Sequence, residues 1–227
     1  LSCAVQLSIQ GLTSSIRVMI IEPRTRYERD RTWCFWNVIP HLFEDCVSDA
    51  WHTWSVSDGE RRIVRSWPGL VYQHLPADAF YEKATSLLAA DPNVELRLGT
   101  RVKRVESQPA ENRALAMTDE GPLTARLVLD SRPRGARLDR DREPRNAPGH
   151  FLQHFHGQTV RSERPVFSAD VATIMDFVQA RSDGIHFVYV LPYDDRTALV
   201  EDTWFSAEPR PVESYEEGPE DLLKQVS

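Results

Sequence analysis

Two short segments hold the residues with the most specific chemistry. Residues 199–205, L-V-E-D-T-W-F, place the carboxylates of Glu201 and Asp202 beside two aromatic rings. Residues 30–36, D-R-T-W-C-F-W, crowd three aromatic side chains together: Trp33, Phe35 and Trp36. Apolar surroundings keep a carboxyl protonated, and aromatic faces stabilise cations. The pattern therefore favours protonation of an alkene by a buried acid, with aromatic rings around the carbocation that forms.

Composition excludes several classes of protein. The chain has 227 residues, 41% of them hydrophobic, which is enough for one large domain or two small ones. A formal net charge of -7, without a basic stripe, argues against a nucleic-acid partner. Three cysteines do not form a disulfide scaffold, so we expect a reducing, cytoplasmic location. No apolar run approaches the about 20 residues of a membrane span, and no signal-peptide pattern opens the sequence.

The first residues are typical of a dinucleotide-binding unit. Apolar residues at helical spacing run to Gly11, and residues 17–22 then form a predicted buried strand that closes on Glu22. In such a unit a glycine-rich turn precedes the helix, and the acid bonds the ribose hydroxyls. Counting back from Glu22 places those glycines at or before residue 1. The alternative interpretation of Glu22 is an ordinary acid at a strand end.

Further strands and helices are predicted along the middle of the chain. A helix is expected after Asp78, which would cap it, and strands are expected at residues 94–98 and from Val102. Residues 127–129 form a short apolar run that ends in the polar turn Asp130-Ser131-Arg132-Pro133. Strand ends of this kind deliver loops to ligands in α/β sheets, although a solvated strand end is the simpler alternative.

After Pro148 the sequence becomes β-rich, with tight turns that predict an antiparallel sheet. His150, His154 and His156 fall on one face of its first strand, a spacing that could bind a metal. No carboxylate or cysteine stands at a matching short spacing, so packed or solvated histidines are favoured and no metal is expected.

Two short motifs and four ordered blocks of the sequence resemble the lycopene cyclase family of flavoproteins. The motifs are I-E-P-R at residues 21–24 and D-S-R-P at residues 130–133. The four blocks are Q-x-F-x-G filled by Gln153, Phe155 and Gly157, M-D-F at residues 175–177, F-V-Y-V-L-P at residues 187–192, and V-E-D-T at residues 200–203. The resemblance implies that the protein binds FAD, needed in its reduced form, and closes the end rings of an acyclic carotenoid such as lycopene without net oxidation.

The resemblance also implies roles for individual residues. Glu201 matches the acidic position regarded as catalytic, and Asp202 fills the second acidic slot. The expected cofactor-binding residues are Glu22, Arg24, Val102 and Asp130. Burial beside Trp204 or Phe205 would raise the pKa of Glu201. The aromatic residues expected to line the substrate pocket are Trp33, Phe35, Trp36, Phe187, Tyr189 and Trp204.

The expected fold is α/β. We expect a FAD-binding Rossmann-like part at 1–36 and 94–147, an aromatic-rich insertion with a helix at 37–93, and an antiparallel substrate-domain sheet at 148–227. The glycine turn and a C-terminal segment of the family are expected to lie outside the chain, which would leave it truncated. An insoluble substrate predicts attachment to a membrane surface without crossing it. Two alternatives stay open: a different FAD-dependent oxidoreductase or hydroxylase for an apolar substrate, and an inactive remnant that binds pigment.

Overall fold

The structure is a computed structural model that describes residues 1–132, 151–177, 184–209 and 211. These residues form two α-helices and fourteen β-strands in several sheets, which confirms the predicted α/β class. The chain divides into two compact units. Unit 1 comprises Leu1–Trp33 and Pro76–Pro144, and unit 2 comprises Cys34–Leu75 and Arg145–Ser227.

The bounds of the elements are as follows. The helices are α1 (Ser2–Ile9) and α2 (Ala77–Ala89). The strands of the first half are β1 (Val18–Glu22), β2 (Thr32–Asn37), β3 (Asp49–Trp51), β4 (Thr53–Ser57), β5 (Arg62–Ser66), β6 (Val71–Pro76) and β7 (Val94–Leu98). The strands of the second half are β8 (Val102–Gln108), β9 (Arg113–Thr118), β10 (Pro122–Ala125), β11 (Leu152–Arg161), β12 (Val171–Asp176), β13 (Ile185–Pro192) and β14 (Thr197–Ser206).

Unit 1 contains a parallel strand pair and the two helices. β1 and β7 pair in parallel from Val18↔Val94 to Glu22↔Leu98, so the acid predicted at the strand end lies beside the end of β7. α2 buries residues at helical spacing: Ala77, Phe80, Tyr81, Ala84 and Leu88. Asp78 does not cap this helix, because α2 begins one residue earlier behind Pro76 and Asp78 falls in the first turn. β8, β9 and β10 form a separate antiparallel sheet.

Unit 2 is built around a six-stranded sheet in the order β11-β14-β13-β12-β4-β5. Its neighbours are antiparallel except for β12 and β4, which run parallel. The hydroxyls of Ser55 and Thr173 lie 3.2 Å apart across this parallel pair. Residues 53–66 thus share a sheet with the C-terminal strands, a pairing that the sequence analysis did not foresee. A three-stranded sheet in the order β2-β6-β3 completes the strands of this region.

The two faces of the six-stranded sheet carry different side chains, because neighbouring residues of a strand point to opposite sides. We call the side bearing Tyr189, Glu201 and Phe187 the tyrosine face, and the side bearing His186, Asp202 and Trp204 the histidine face. An apolar core lies on the tyrosine face: Trp51, Tyr72, Ala172, Ile174, Leu191 and Leu199. A second core lies on the histidine face: Val160, Phe167, Val188, Val190, Ala198 and Val200.

The indole nitrogen of Trp51 anchors the three-stranded sheet to the larger one by donating a hydrogen bond of 3.0 Å to the carbonyl of Pro192. Within the described parts of the chain, neither helix has the length and apolar character needed to cross a membrane.

Candidate active site

Glu201 is the central acid of the site, on the tyrosine face of β14. It pairs with Gly157 of β11 on one side and Tyr189 of β13 on the other. The residue is only partly exposed, and burial raises the pKa of its carboxyl above the ordinary value. A carboxyl in this condition stays protonated to a higher pH and can therefore act as a proton donor.

Gly157 provides the space that the Glu201 side chain occupies. A Cβ atom at position 157 would lie 2.9 Å from Cγ and 3.1 Å from Oε1 of Glu201. The acid therefore leans over β11, the outermost strand of the described sheet, and away from Tyr189. This direction takes the carboxyl toward the β11 edge of the described sheet.

Two tyrosines form a hydroxyl pair beside the acid. The hydroxyl oxygens of Tyr72 and Tyr189 lie 2.5 Å apart, and Cys34 packs against the same cluster of side chains. Burial raises the pKa of both tyrosines, and it raises the pKa of Cys34 to about 12. Because Glu201, both phenols and the thiol all favour their protonated forms, this side of the site holds protons and little negative charge.

Aromatic rings extend from the acid along the same face. The ring of Phe187 lies 6.4 Å from Tyr189, 5.6 Å from Phe177 and 6.3 Å from Phe205, measured between centroids. Phe155, which pairs with the residue two positions after Glu201, is 58% exposed. These rings form an apolar track along the sheet. The track begins about 7 Å from Glu201 along the strand direction, which is the rise of two strand residues.

Trp36 adds a further ring to the tyrosine face. It lies 4.8 Å from Tyr72 and 5.9 Å from Trp54 between ring centroids, and it remains 40% exposed. An exposed indole next to the buried Tyr72 can contact an apolar ligand or a cation through its ring face.

Asp202 faces the opposite side of the sheet from Glu201. Its carboxylate hydrogen-bonds Nε2 of His186, whose ring stacks on Trp204 at 3.9 Å between centroids. His154 Nε2 lies 2.7 Å from the hydroxyl of Ser206 on the same histidine face. Trp204 therefore does not bury Glu201, contrary to our expectation, because side chains alternate along β14. Asp202, His186 and Trp204 form a packed cluster on the face of the sheet opposite Glu201.

The predicted strand histidines do not form a metal site in the part of the chain that the structure describes. Among residues 1–132, 151–177 and 184–209, no group of three or more histidines, cysteines and carboxylates is arranged to hold a metal ion. His150 lies outside the described residues.

The remaining predicted pocket residues lie elsewhere. Trp33 belongs to unit 1, where its ring meets the edges of Phe80 and Tyr81 at 5.0 and 5.6 Å. Phe35 contacts the ring of His41 at 5.4 Å. Strand alternation in β2 separates these two from Cys34 and Trp36. The structure thus brings together Trp36, Tyr189 and Phe187 on the tyrosine face and does not add Trp33, Phe35 or Trp204 to them.

Glu22 and Arg24 form an ion-pair network at the end of β1. An Arg24 guanidinium nitrogen donates to Glu22 Oε2 at 2.9 Å and another to Asp30 Oδ2 at 2.7 Å. The guanidinium also lies over the rings of Tyr27 and Tyr81, 4.8 and 5.3 Å from their centroids. Hydrogen bonding from Arg24 lowers the pKa of Glu22, so the carboxylate is ionised and able to accept further hydrogen bonds.

Asp130 and Val102 are joined through Arg132. Asp130 accepts two guanidinium hydrogen bonds of 2.9 Å from Arg132, and another Arg132 nitrogen donates to the carbonyl of Val102 at 2.7 Å. Asp130 therefore orients an arginine that holds the polar turn against β8. Pro133, the last residue of this motif, lies outside the described residues.

One buried polar atom near Glu22 has no protein partner within the described chain. Thr100 is fully buried, its backbone nitrogen donates to the carbonyl of Glu22 at 3.2 Å, and its Oγ1 has no hydrogen-bond partner. An unpaired buried hydroxyl is costly, so a ligand hydroxyl or a water at this point would stabilise the fold.

Sequence reasoning missed three members of the site. Gly157 belongs to the Q-x-F-x-G block, but its contact with Glu201 depends on the register between β11 and β14. Tyr72 and Cys34 come from β6 and β2, and Tyr72 meets Tyr189 across 117 residues of sequence. No local pattern indicates that pairing.

Comparison with known proteins adds a family and a fold. The family model "Lycopene cyclase protein" matches residues 1–219 of the chain. No curated protein matches it in sequence.

Several solved flavoprotein structures share the fold. A probable FAD-dependent monooxygenase from Pseudomonas aeruginosa, pqsL, is 16% identical with a TM-score of 0.57, and the match covers 94% of this chain and 58% of that one. The halogenase PltM in complex with phloroglucinol and FAD is 12% identical with a TM-score of 0.59, covering 98% and 53%. The p-nitrophenol 4-monooxygenase PnpA from Pseudomonas putida DLL-E4 is 12% identical with a TM-score of 0.58, covering 98% and 59%. The chain thus spans little more than half the length of these structures, and at such identities the likeness shows the fold alone.

Proposed function

Because the chain belongs to the lycopene cyclase family, we propose that it is part of a flavoprotein that closes the end rings of an acyclic carotenoid by proton-initiated, redox-neutral cyclisation. The observation that carries the proposal is Glu201, a partly buried acid with a raised pKa on an aromatic sheet face. An alkene is a very weak base, so its protonation needs a neutral acid in apolar surroundings.

The proposed reaction conserves atoms and electrons. Glu201 gives its proton to the terminal double bond, which leaves a tertiary cation on the carotenoid and a carboxylate on the protein. A neighbouring alkene attacks the cation and closes the ring, the ring then loses a proton to solvent, and the Glu201 carboxylate takes up a proton from solvent to restore the acid. The product is an isomer of the substrate.

The tyrosine face would shelter the cation during ring closure. Trp36, Phe187 and the phenol rings offer π-faces, and the protonated hydroxyl pair adds no nucleophilic anion that could trap the cation. Phe155 and Phe205 would bind the polyene further along the track by apolar contact, because a hydrocarbon offers no hydrogen bonds. Asp202, held by His186 on the other face, supports the strand and stays outside the proton transfer.

We further propose FAD as the cofactor, and unit 1 contains residues that fit it. Glu22 would accept the ribose hydroxyls, with Arg24 and the unpaired Thr100 hydroxyl near the same strand end. Asp130 would act through Arg132 by fixing the turn next to Val102. When bound in its reduced form, FAD supplies an electron-rich ring system that stabilises positive charge.

The carotenoid also implies where the protein works. Its substrate partitions into lipid, so we propose attachment to a membrane surface from the cytoplasmic side, without a spanning segment.

A second candidate is an FAD-dependent monooxygenase for an apolar substrate. Two of the structural neighbours described above are monooxygenases by name, and this chain shares their fold. It would consume NAD(P)H and oxygen and add an oxygen atom to its product. A third possibility is a pigment-binding protein without chemistry.

Product mass separates these functions. The complete gene product is incubated with lycopene and reduced FAD, without oxygen, in D₂O. A cyclase gives a product that gains one solvent deuterium per ring closed, because the acid exchanges its proton with solvent. A parallel incubation contains NAD(P)H and oxygen. A product that forms only in that incubation and gains an oxygen atom would support the monooxygenase. Lycopene retained unchanged would support pigment binding.

A further inference from the structure

We propose that Gly157 is a positioning residue for Glu201: the bare backbone at position 157 is the seat of the acid side chain and determines where its carboxyl lies. This inference deepens the proposed function and rests on the role of Glu201 in it.

The contacts at position 157 leave no room for a side chain while the Glu201 side chain keeps its position. A Cβ there would meet Glu201 Cγ at 2.9 Å, Oε1 at 3.1 Å and Cδ at 3.4 Å. All three atoms belong to the acid, so the outer half of the Glu201 side chain lies along this backbone. Any residue other than glycine must displace it.

Backbone conformation does not explain the glycine. Gly157 does not have a positive φ, whereas six other glycines among the described residues do: Gly11, Gly59, Gly69, Gly99, Gly121 and Gly184. It lies inside β11, in regular antiparallel register with β14 from Leu152↔Ser206 to Arg161↔Thr197. Glycine weakens a strand interior, so close approach by another group is the physical reason for it here.

Neighbouring side chains leave the acid no equivalent seat. On the β13 side, Tyr189 pairs with Glu201 and is tied to Tyr72 by the hydroxyl pair. Along β14, the tyrosine face carries buried Leu199 before the acid and buried Thr203 after it. A methyl group at position 157 would therefore lift the carboxyl off the sheet and into solvent.

The first test is Gly157→Ala in the complete gene product. A misplacement of about 1 Å can cost about 100-fold in rate, so we expect kcat for lycopene to fall by about 10- to 100-fold while KM changes little. The infrared band of the protonated Glu201 carboxyl is identified by its loss in Glu201→Gln and is then followed as a function of pH. Its titration midpoint should be lower in Gly157→Ala than in the wild type, because the carboxyl becomes more exposed to solvent. Thr159→Ala, on the same face of β11, is the matched control and should move neither quantity.

The second test needs no enzymatic activity. Gly157→Ala should lower the melting temperature when Glu201 is present and raise it in the Glu201→Ala background, where the seat is empty. If Gly157→Ala does not fold alone, folding of the double variant supports the proposal, and failure of both contradicts it. Equal melting shifts in the two backgrounds, or an unchanged carboxyl midpoint, would overturn it. Absence of cyclase activity in the wild type would refute the proposed function and leave these two measurements decisive for Gly157.

Discussion

The hydroxyl pair between Tyr72 and Tyr189 predicts a strong energetic coupling. Their oxygens lie 2.5 Å apart, and Tyr72 is buried. Removing either hydroxyl leaves the other without its partner, and an unsatisfied buried hydroxyl costs about 1–3 kcal/mol. Tyr72→Phe and Tyr189→Phe should therefore each lower the free energy of unfolding by about 1–2 kcal/mol.

The double variant distinguishes the pair from two independent hydroxyls. Once Tyr72 has lost its hydroxyl, removing that of Tyr189 leaves no new unsatisfied partner, so the second change should cost little. The coupling in a double-mutant cycle should be about 1 kcal/mol. Urea unfolding followed by tryptophan fluorescence measures the free energy of unfolding of all four proteins. Additive losses for the two substitutions would refute the pair.

Three further outcomes follow from the ionisable groups. Because the pKa of Glu201 is raised in the folded state, its contribution to stability is full below the pKa of an unfolded glutamate and is lost as pH rises through the folded pKa. The free energy of unfolding of Glu201→Gln, measured at several pH values, should therefore increase relative to that of the wild type as pH rises. A difference that does not change with pH would contradict this. The Cys34 thiol, with its pKa raised to about 12, should react with iodoacetamide at pH 8 far more slowly than exposed Cys3, which mass spectrometry of labelled peptides measures; equal rates would contradict its burial. Asp130→Asn should free Arg132 and increase hydrogen exchange at the start of β8, whereas unchanged exchange there would show that the turn does not depend on the ion pair.

Local sequence patterns were sufficient for the elements around Glu22. An apolar run that closes on an acid, after a helix with glycine at its end, predicted α1, β1 and the position of Glu22 at the strand end. The family resemblance found from six short segments is confirmed by the match over residues 1–219. These features depend on residues close together in sequence, where periodicity and turn chemistry are informative.

The make-up of the site depended on strand register, which the sequence did not reveal. Alternation along β14 alone separates Glu201 from Asp202, and this much follows from adjacency in a strand. Two strand pairings join segments that are distant in sequence: β14 with β11, which places Gly157 beside Glu201, and β4 with β12 in parallel. Tyr72 also contacts Tyr189 across a long sequence separation, so propensities and motifs could not predict its place in the site. The roles of Glu22, Arg24, Val102 and Asp130 toward a cofactor stay predictions.

Complementation with Glu201→Gln tests whether the Glu201 carboxyl donates the proton that starts ring closure. The amide keeps the size of the side chain but cannot donate a proton, so the complete gene product carrying Glu201→Gln should leave a lycopene-accumulating cell red while the wild type turns it orange. Asp202→Asn is the matched control from the opposite face and should retain most of the conversion. Purified Glu201→Gln protein should still hold flavin and carotenoid, which localises the loss to the chemical step. Conversion of pigment by Glu201→Gln at the wild-type level would remove Glu201 from the mechanism and contradict the account.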